Sequence, residues 1–143
     1  MKAFKHKLVA VIQHLVIVCR GKVLLLRYSD YQGKGVEGLW GLPGGHYISG
    51  DPPGDLLREV REETGLAVKD GLRLLSTYAV MFPDGVERFG VFYGCDLGDS
   101  PAPPVVLSGE HTDFMWAGRG ETAGLAFIGP YHKKIVEEVL AGG

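Results

Sequence analysis

Residues 44–66 read GGHYISGDPPGDLLREVREETGL, from Gly44 to Leu66. Asp51-Pro52-Pro53 is a strong helix start, because Asp is a favoured N-cap and Pro is tolerated in a first turn whose N–H groups have no intrahelical partner. Gly65 suits the left-handed position that ends a helix. On a wheel at about 100° per residue, Leu56, Leu57 and Val60 form a core-facing stripe. Asp55, Glu59, Glu62 and Glu63 fall within one sector of about 100°, so their carboxylates share a face.

That face is costly in isolation. Asp55/Glu59 and Glu59/Glu63 are like-charged i,i+4 pairs, each destabilising by roughly 0.2–0.5 kcal/mol. A divalent cation bound among them would reverse the sign of the effect, and Mg²⁺ favours oxygen ligands from carboxylates together with substrate phosphates. A solvated acidic face is the competing reading: acids early in a helix are favoured by its dipole, and Arg58 and Arg61 offset part of the charge. The residues of the helix alone leave both readings open.

The rest of the chain bounds the answer. Its 143 residues fit one domain, 1–143, and give a core without staples. Apolar residues are 45% and charged residues 22%, so the chain is globular rather than disordered. A net charge of −2 gives no basic surface for stable nucleic-acid binding. The run Leu8–Cys19 is interrupted by Gln13 and His14 and is too short to span a membrane, and no signal-peptide pattern is present. Cys19 and Cys95 form no CxxC pair or disulfide framework, as expected of a cytoplasmic protein.

Strands are expected over 5–19 and 23–27 around an Arg20-Gly21-Lys22 turn, and over 72–82 and 86–97 around Pro83-Asp84-Gly85. Ser29–Gly38 is a polar, Gly-rich loop. Short strands are expected at Val105–Leu107 and Phe114–Trp116. Pro130–Leu140 reads as an amphipathic helix with Tyr131, Ile135, Val136, Val139 and Leu140 on its apolar face. Strands mixed with two helices argue for an α/β (α+β) sandwich.

Arg58–Leu66, REVREETGL, fits the REUxEExGU half of the Nudix box without exception, where U is aliphatic, and Leu42-Pro43-Gly44-Gly45-His46 resembles the usual approach to it. The chain thus resembles the Nudix hydrolase (MutT-like) superfamily, also in length, strand order and a Glu110-containing loop before Trp116. The first half of the box, G-x5-E-x7, departs from the pattern. With Gly45 leading, Asp51 takes the Glu position but only six residues precede Arg58; with Gly44 leading, Gly50 stands where Glu belongs. Asp51 is then read as the helix cap and as a partial stand-in for that Glu.

The resemblance implies a Nudix-type α/β/α sandwich with a mixed β-sheet. It implies a metal-dependent hydrolase that cleaves a diphosphate linkage in a nucleoside diphosphate derivative or nucleoside triphosphate, with Mg²⁺ or Mn²⁺ as cofactor. Carried over by residue, Glu59, Glu62 and Glu63 become metal ligands, with the Gly44 carbonyl as a further one, and Arg58 orients the catalytic glutamates. Outside the box, Glu110 is expected as an acidic ligand or general base, and Asp113 is its rival in the same loop. Arg27, Trp40 and Phe82 are weaker substrate-binding candidates, each with a plain structural alternative. The other class of function is a catalytically silent Nudix-fold sensor or binding domain. The expected partner is a small nucleotide-type substrate, with the protein a monomer or homodimer.

Overall fold

The computed structural model describes residues 5–30, 35–69 and 71–142, so residues 31–34 of the expected Ser29–Gly38 loop lie outside the described residues. The elements run β1 (Ala10–Cys19), β2 (Lys22–Tyr28), β3 (Trp40–Gly41), β4 (Gly44–His46), α1 (Pro52–Thr64), β5 (Arg73–Met81), β6 (Glu87–Asp96), β7 (His111–Ala117) and α2 (Pro130–Leu140). Among the described residues no helix is long and apolar enough to cross a membrane.

The architecture is an α/β/α sandwich on a mixed sheet. The strands run in the order β3-β2-β1-β6-β5, with β4 also on β1 and β7 also on β2. The long β1/β6 pairing is parallel, from Ala10↔Arg88 to Val18↔Asp96, and the other named pairings are antiparallel. The near-continuous apolar runs in β1 and β2 have a simple cause: both faces of these strands are covered. Leu15, Ile17, Leu24 and Leu26 pack with Leu56 and Val60 of α1. Their neighbours Val16, Val23 and Leu25 pack on the other face with Ile135 and Val136 of α2.

One feature of the topology creates the site. β1 and β2 are paired only beside their turn, at Val18↔Val23 and Cys19↔Lys22. Beyond that point they diverge. β1 takes β4 as its partner through Ile12↔His46, Gln13↔Gly45 and His14↔Gly44, while β2 takes β3 and β7. The split brings the Gly44-Gly45 strand alongside α1 and opens a cavity between the two halves of the sheet.

Helix α1 begins and ends where its sequence says. Asp51 has extended φ/ψ and its Oδ2 accepts from the Gly54 N–H at 3.1 Å. Gly65 sits at φ 74° and donates to the Arg61 carbonyl at 2.8 Å.

Three expectations are corrected. The first strand starts at Ala10 rather than at residue 5, because the β6 ladder begins opposite Ala10; residues 5–9 are exposed. Val105–Leu107 is not a strand. Its backbone serves the end of α1 instead, with Val106 N–H donating to the Thr64 carbonyl at 2.8 Å, and this satisfies a carbonyl that the helix leaves orphaned. In α2 it is His132 that turns inward with Ile135 and Val136, whereas Tyr131 stays at the surface, 37% exposed, stacked on Tyr78. His132 is drawn in by a backbone partner, its Nδ1 accepting from Leu42 N–H at 3.3 Å.

Candidate active site

The acidic face of α1 is graded in burial. Asp55 and Glu63 are buried, at 9% and 5% exposure, Glu59 is largely covered, and the Glu62 side chain is 61% exposed. Arg58 lies across this face. Its Nη1 donates to Glu62 Oε1 at 2.8 Å and its Nη2 to Asp55 Oδ1 at 2.9 Å, and Nη2 is 3.7 Å from Glu59 Oε1. Asp55 in turn accepts the Ile48 N–H on Oδ2 at 3.0 Å. The Ile48 amide first, and then Arg58, hold the Asp55 carboxyl below its usual range. Asp55 therefore ties the segment between β4 and α1 to the guanidinium that gathers the other carboxylates. Asp51 does not reach this network in the bonds it makes; it caps the helix from an exposed position.

The glycine pair packs directly on these carboxylates. Gly44 N–H donates to Glu63 Oε1 at 3.4 Å. Gly44 has φ +144°, and a Cβ there would overlap the backbone of Gln13 and His14. At Gly45 a Cβ would lie 3.2 Å from Glu59 Cδ and closer still to Oε2. Both positions thus require glycine for close approach rather than for turn geometry alone.

A third element completes the cluster. Glu63, Glu110 and His111 each offer a ligand atom within 4.8 Å of the others. The turn before β7 is held to the end of β2 by Ser29, whose N–H donates to the Glu110 carbonyl and whose hydroxyl donates to the Gly109 carbonyl, both at 2.9 Å. Asp113, the rival acid, lies on β7 in register with Arg27, is exposed, and accepts its neighbour Phe114 N–H at 2.8 Å. His111 is buried against the Tyr28 ring, with centroids 4.7 Å apart, and among the described residues neither ring nitrogen has a hydrogen-bond partner.

Crowding of like charges in a dry place has its expected effect. Burial pushes the Glu63 carboxyl up to about 9, with Glu110, Glu59 and Glu62 adding to the shift against the Gly44 N–H. Burial likewise pushes Glu59 up to about 7; Arg58 opposes it, and Asp55, Glu62 and Glu110 reinforce it. Two elements far apart in sequence thus deliver carboxylates that are hard to ionise together. The donors are carboxylate oxygens with one imidazole beside them, a set that fits a hard divalent cation such as Mg²⁺ or Mn²⁺.

Beside the cluster lies a cavity of about 550 Å³. Gly44, Gly45 and Glu110 are among its lining residues. Tyr78, Phe82 and Tyr131 contribute aromatic rings, and His14 and His132 also line it. The Phe82 ring carries the Arg88 guanidinium 4.2 Å from its centroid, and Arg88 is gripped by both Asp84 oxygens at 2.8 Å. Of the expected substrate contacts, Phe82 lines this cavity. Trp40 instead packs half-buried against the α2-side core, and Arg27 is exposed on β2 opposite Trp40 and Asp113. The residues that the sequence reading did not single out for the site are Asp55 as the partner of Arg58, and His14, Tyr78, Tyr131 and His132 around the cavity. The interruption of an apolar strand by Gln13-His14 was the visible signal for one of them.

A family model described as the NUDIX domain matches residues 9–139. Among solved structures, the MutT protein from Methanosarcina mazei Go1 is 25% identical, with 94% of this chain and 95% of that one covered and a TM-score of 0.74. The NUDIX domain of Shewanella oneidensis NrtR, complexed with ADP ribose, is 20% identical over 96% of this chain and 90% of that one, with a TM-score of 0.76. A C. elegans Ap4A hydrolase is 24% identical over 94% of this chain and all 100% of that one, with a TM-score of 0.71. The last two likenesses, at this identity, are likenesses of fold.

Proposed function

The chain belongs to the NUDIX family of pyrophosphohydrolases, and from that premise we propose that it cleaves a phosphoric anhydride in a nucleoside diphosphate derivative or nucleoside triphosphate, using a divalent cation. The observation that carries this reading is the meeting of α1 and the turn before β7: Glu63 and Glu110 offer ligand atoms within 4.8 Å of one another, and Glu110 also lines the aromatic cavity. Glu59, Glu62, Glu63, Glu110 and the Gly44 carbonyl are the residues that would hold Mg²⁺ or Mn²⁺. When bound, such a cation supplies charge neutralisation at the anhydride and acidifies water.

The remaining work falls to the chain. Arg58, held by Asp55, fixes the Glu59 and Glu62 carboxylates so that little reorganisation is left for the reaction itself. Gly44 N–H orients Glu63. Glu110, on the far side from the helix, accepts the proton of the attacking water in this reading. The cavity beside the cluster takes the rest of the substrate and excludes water from it.

The test is a screen of nucleoside triphosphates, nucleotide sugars, ADP-ribose and dinucleoside polyphosphates with Mg²⁺, read as release of phosphate, pyrophosphate or nucleoside monophosphate. Turnover of at least one class, abolished by EDTA, is expected. Nucleotide binding without any turnover would instead assign the chain to the silent, sensor-like reading.

A further inference from the structure

We propose that the His111 imidazole is a nitrogen ligand of the divalent cation, joining Glu63 and Glu110, and that it makes the site favour a first-row cation such as Mn²⁺ over Mg²⁺. The inference rests on the hydrolase reading only for the presence of a cation among these carboxylates.

His111 is a polar residue whose nitrogens the fold leaves unexplained. It is 5% exposed, and among the described residues both ring nitrogens are buried without a hydrogen-bond partner. A neutral imidazole carries one N–H donor and one acceptor nitrogen, and each loses its hydration on burial with nothing in return. The fold does provide for His132, whose Nδ1 accepts the Leu42 N–H at 3.3 Å. A phenylalanine at position 111 would pack on the Tyr28 ring without that cost. Buried groups left unpaired in this way call for a partner such as an ion.

The backbone is irregular at this residue. β2 and β7 pair evenly from Val23↔Ala117 to Arg27↔Asp113, and the register then shifts so that Tyr28 pairs with His111 and Thr112 is left over. With regular alternation His111 would share a face with Asp113 and Met115, and Met115 packs on the α2 side. The shift turns it to the face of Phe114 and Trp116, which pack on the α1 side with Leu56 and Val60. Re-aiming one side chain is what bulges beside functional sites do. Here the result is a set of ligand atoms from Glu63, Glu110 and His111 that lie within 4.8 Å of one another. Two ligands of one divalent cation can stand about 4–5 Å apart, twice a metal–oxygen distance, so a single ion spans the three. The Tyr28 ring, 4.7 Å from the imidazole and inclined at 53°, backs it from β2.

One nitrogen among oxygens changes the preference of the site. Imidazole suits first-row divalent cations, whereas Mg²⁺ prefers oxygen and keeps waters in its shell. His111 therefore strengthens the hold on Mn²⁺ and adds little to the hold on Mg²⁺, for which a water takes its place.

Mn²⁺ serves as both ligand and probe. Pulsed EPR of the Mn²⁺-loaded chain should show coupling of the electron spin to a histidine nitrogen, altered when the histidine is ¹⁵N-labelled, and calorimetric titration gives the Mn²⁺ and Mg²⁺ affinities. His111→Phe keeps a ring against Tyr28 and removes the nitrogens. It should abolish the coupling and weaken Mn²⁺ by at least about tenfold, with a much smaller loss for Mg²⁺. His111→Gln, expected to abolish the coupling too, serves if the phenylalanine variant fails to fold. His46→Gln, at the exposed histidine of β4, should keep the coupling. A wild-type spectrum without histidine nitrogen needs no variant and would overturn the inference by itself. So would a coupling that persists without His111 or disappears in His46→Gln, or equal losses for the two cations; EDTA-sensitive turnover would leave the hydrolase reading in place in each case. Histidine-coupled Mn²⁺ lost in His111→Phe, in a protein that turns over no substrate of the screen, would uphold the inference and sink the hydrolase reading.

Discussion

Replacing Gly45 with alanine adds one methyl group where β4 runs against α1. The backbone accepts it, since Gly45 is not among the glycines with positive φ. The neighbouring side chain does not: the new carbon would lie 3.2 Å from Glu59 Cδ and 3.4 Å from Oε1, with Oε2 nearer still. Carbon atoms in contact prefer about 3.5–4.0 Å, so the Glu59 carboxylate must retreat by on the order of 1 Å. A misplacement of that size in a positioned catalytic group costs about 10²-fold. The strain falls on the end of a flexible side chain, so stability should change by less than about 1 kcal/mol. Gly45→Ala is therefore expected to lose about 10²-fold in kcat, with little change in Tm, and to need more Mg²⁺ for half-maximal rate. Gly50→Ala is the matched control. Gly50 sits at φ +80° with open space around it, so alanine there should cost about 1 kcal/mol of stability and leave kcat alone. Steady-state kinetics over a Mg²⁺ titration, with thermal melts of both variants, decide the matter. Near-wild-type kcat in Gly45→Ala would refute the placement of Glu59 in the catalytic cluster.

Asp55→Asn should destabilise the protein, because it weakens the bonds from Arg58 and the Ile48 N–H, and should also lower kcat by releasing Arg58; urea titration and kinetics measure the two. Glu110→Gln should cut kcat by about 10²-fold or more while Asp113→Asn does much less, because only Glu110 stands with Glu63; the reverse order would move the role to Asp113. The metal-free protein should lose stability as pH rises above neutrality. Glu63 and Glu59 have folded values of about 9 and about 7 against an ordinary 4.5, so the folded state holds protons that the unfolded state has already released. Their contribution is lost as pH rises through about 7 and 9; burial holds His14, His111 and His132 below their ordinary 6.5, which gives the opposite slope under that pH, so Tm in EDTA should fall from about pH 7 to about pH 9. Glu63→Gln should flatten the upper part of the fall, and an unchanged slope in melts from about pH 7 to about pH 9 would contradict the burial argument.

What could be read from the chain was what local chemistry decides. The limits of α1 followed from Asp51 and Gly65, whose capping bonds involve residues within four positions. The acidic face followed from helical period alone. The divergence of β1 from β2 was invisible, because it depends on Gly44-Gly45 displacing β2 as the partner of Ile12–His14. Asp55 looked like one more acid on the wheel; its distinction comes from the Ile48 N–H, seven residues earlier in the preceding segment. Val105–Leu107 has strand-like residues, yet its backbone is recruited by the end of α1. Tyr131 and His132 are adjacent, and hydropathy puts the wrong one inside. The Leu42 N–H, 90 residues away, gives His132 a buried partner that no pattern within the helix reveals.

The central claim is that the carboxylates of α1 serve metal-dependent cleavage of a phosphoric anhydride. It is tested most directly with the best substrate of the screen, comparing wild type and Glu63→Gln at saturating Mg²⁺ and in EDTA. The account predicts that EDTA abolishes wild-type turnover and that Glu63→Gln, still folded, loses at least about 10²-fold in kcat with Mg²⁺ present. Turnover that survives EDTA, or a Glu63→Gln variant as fast as wild type, would contradict it.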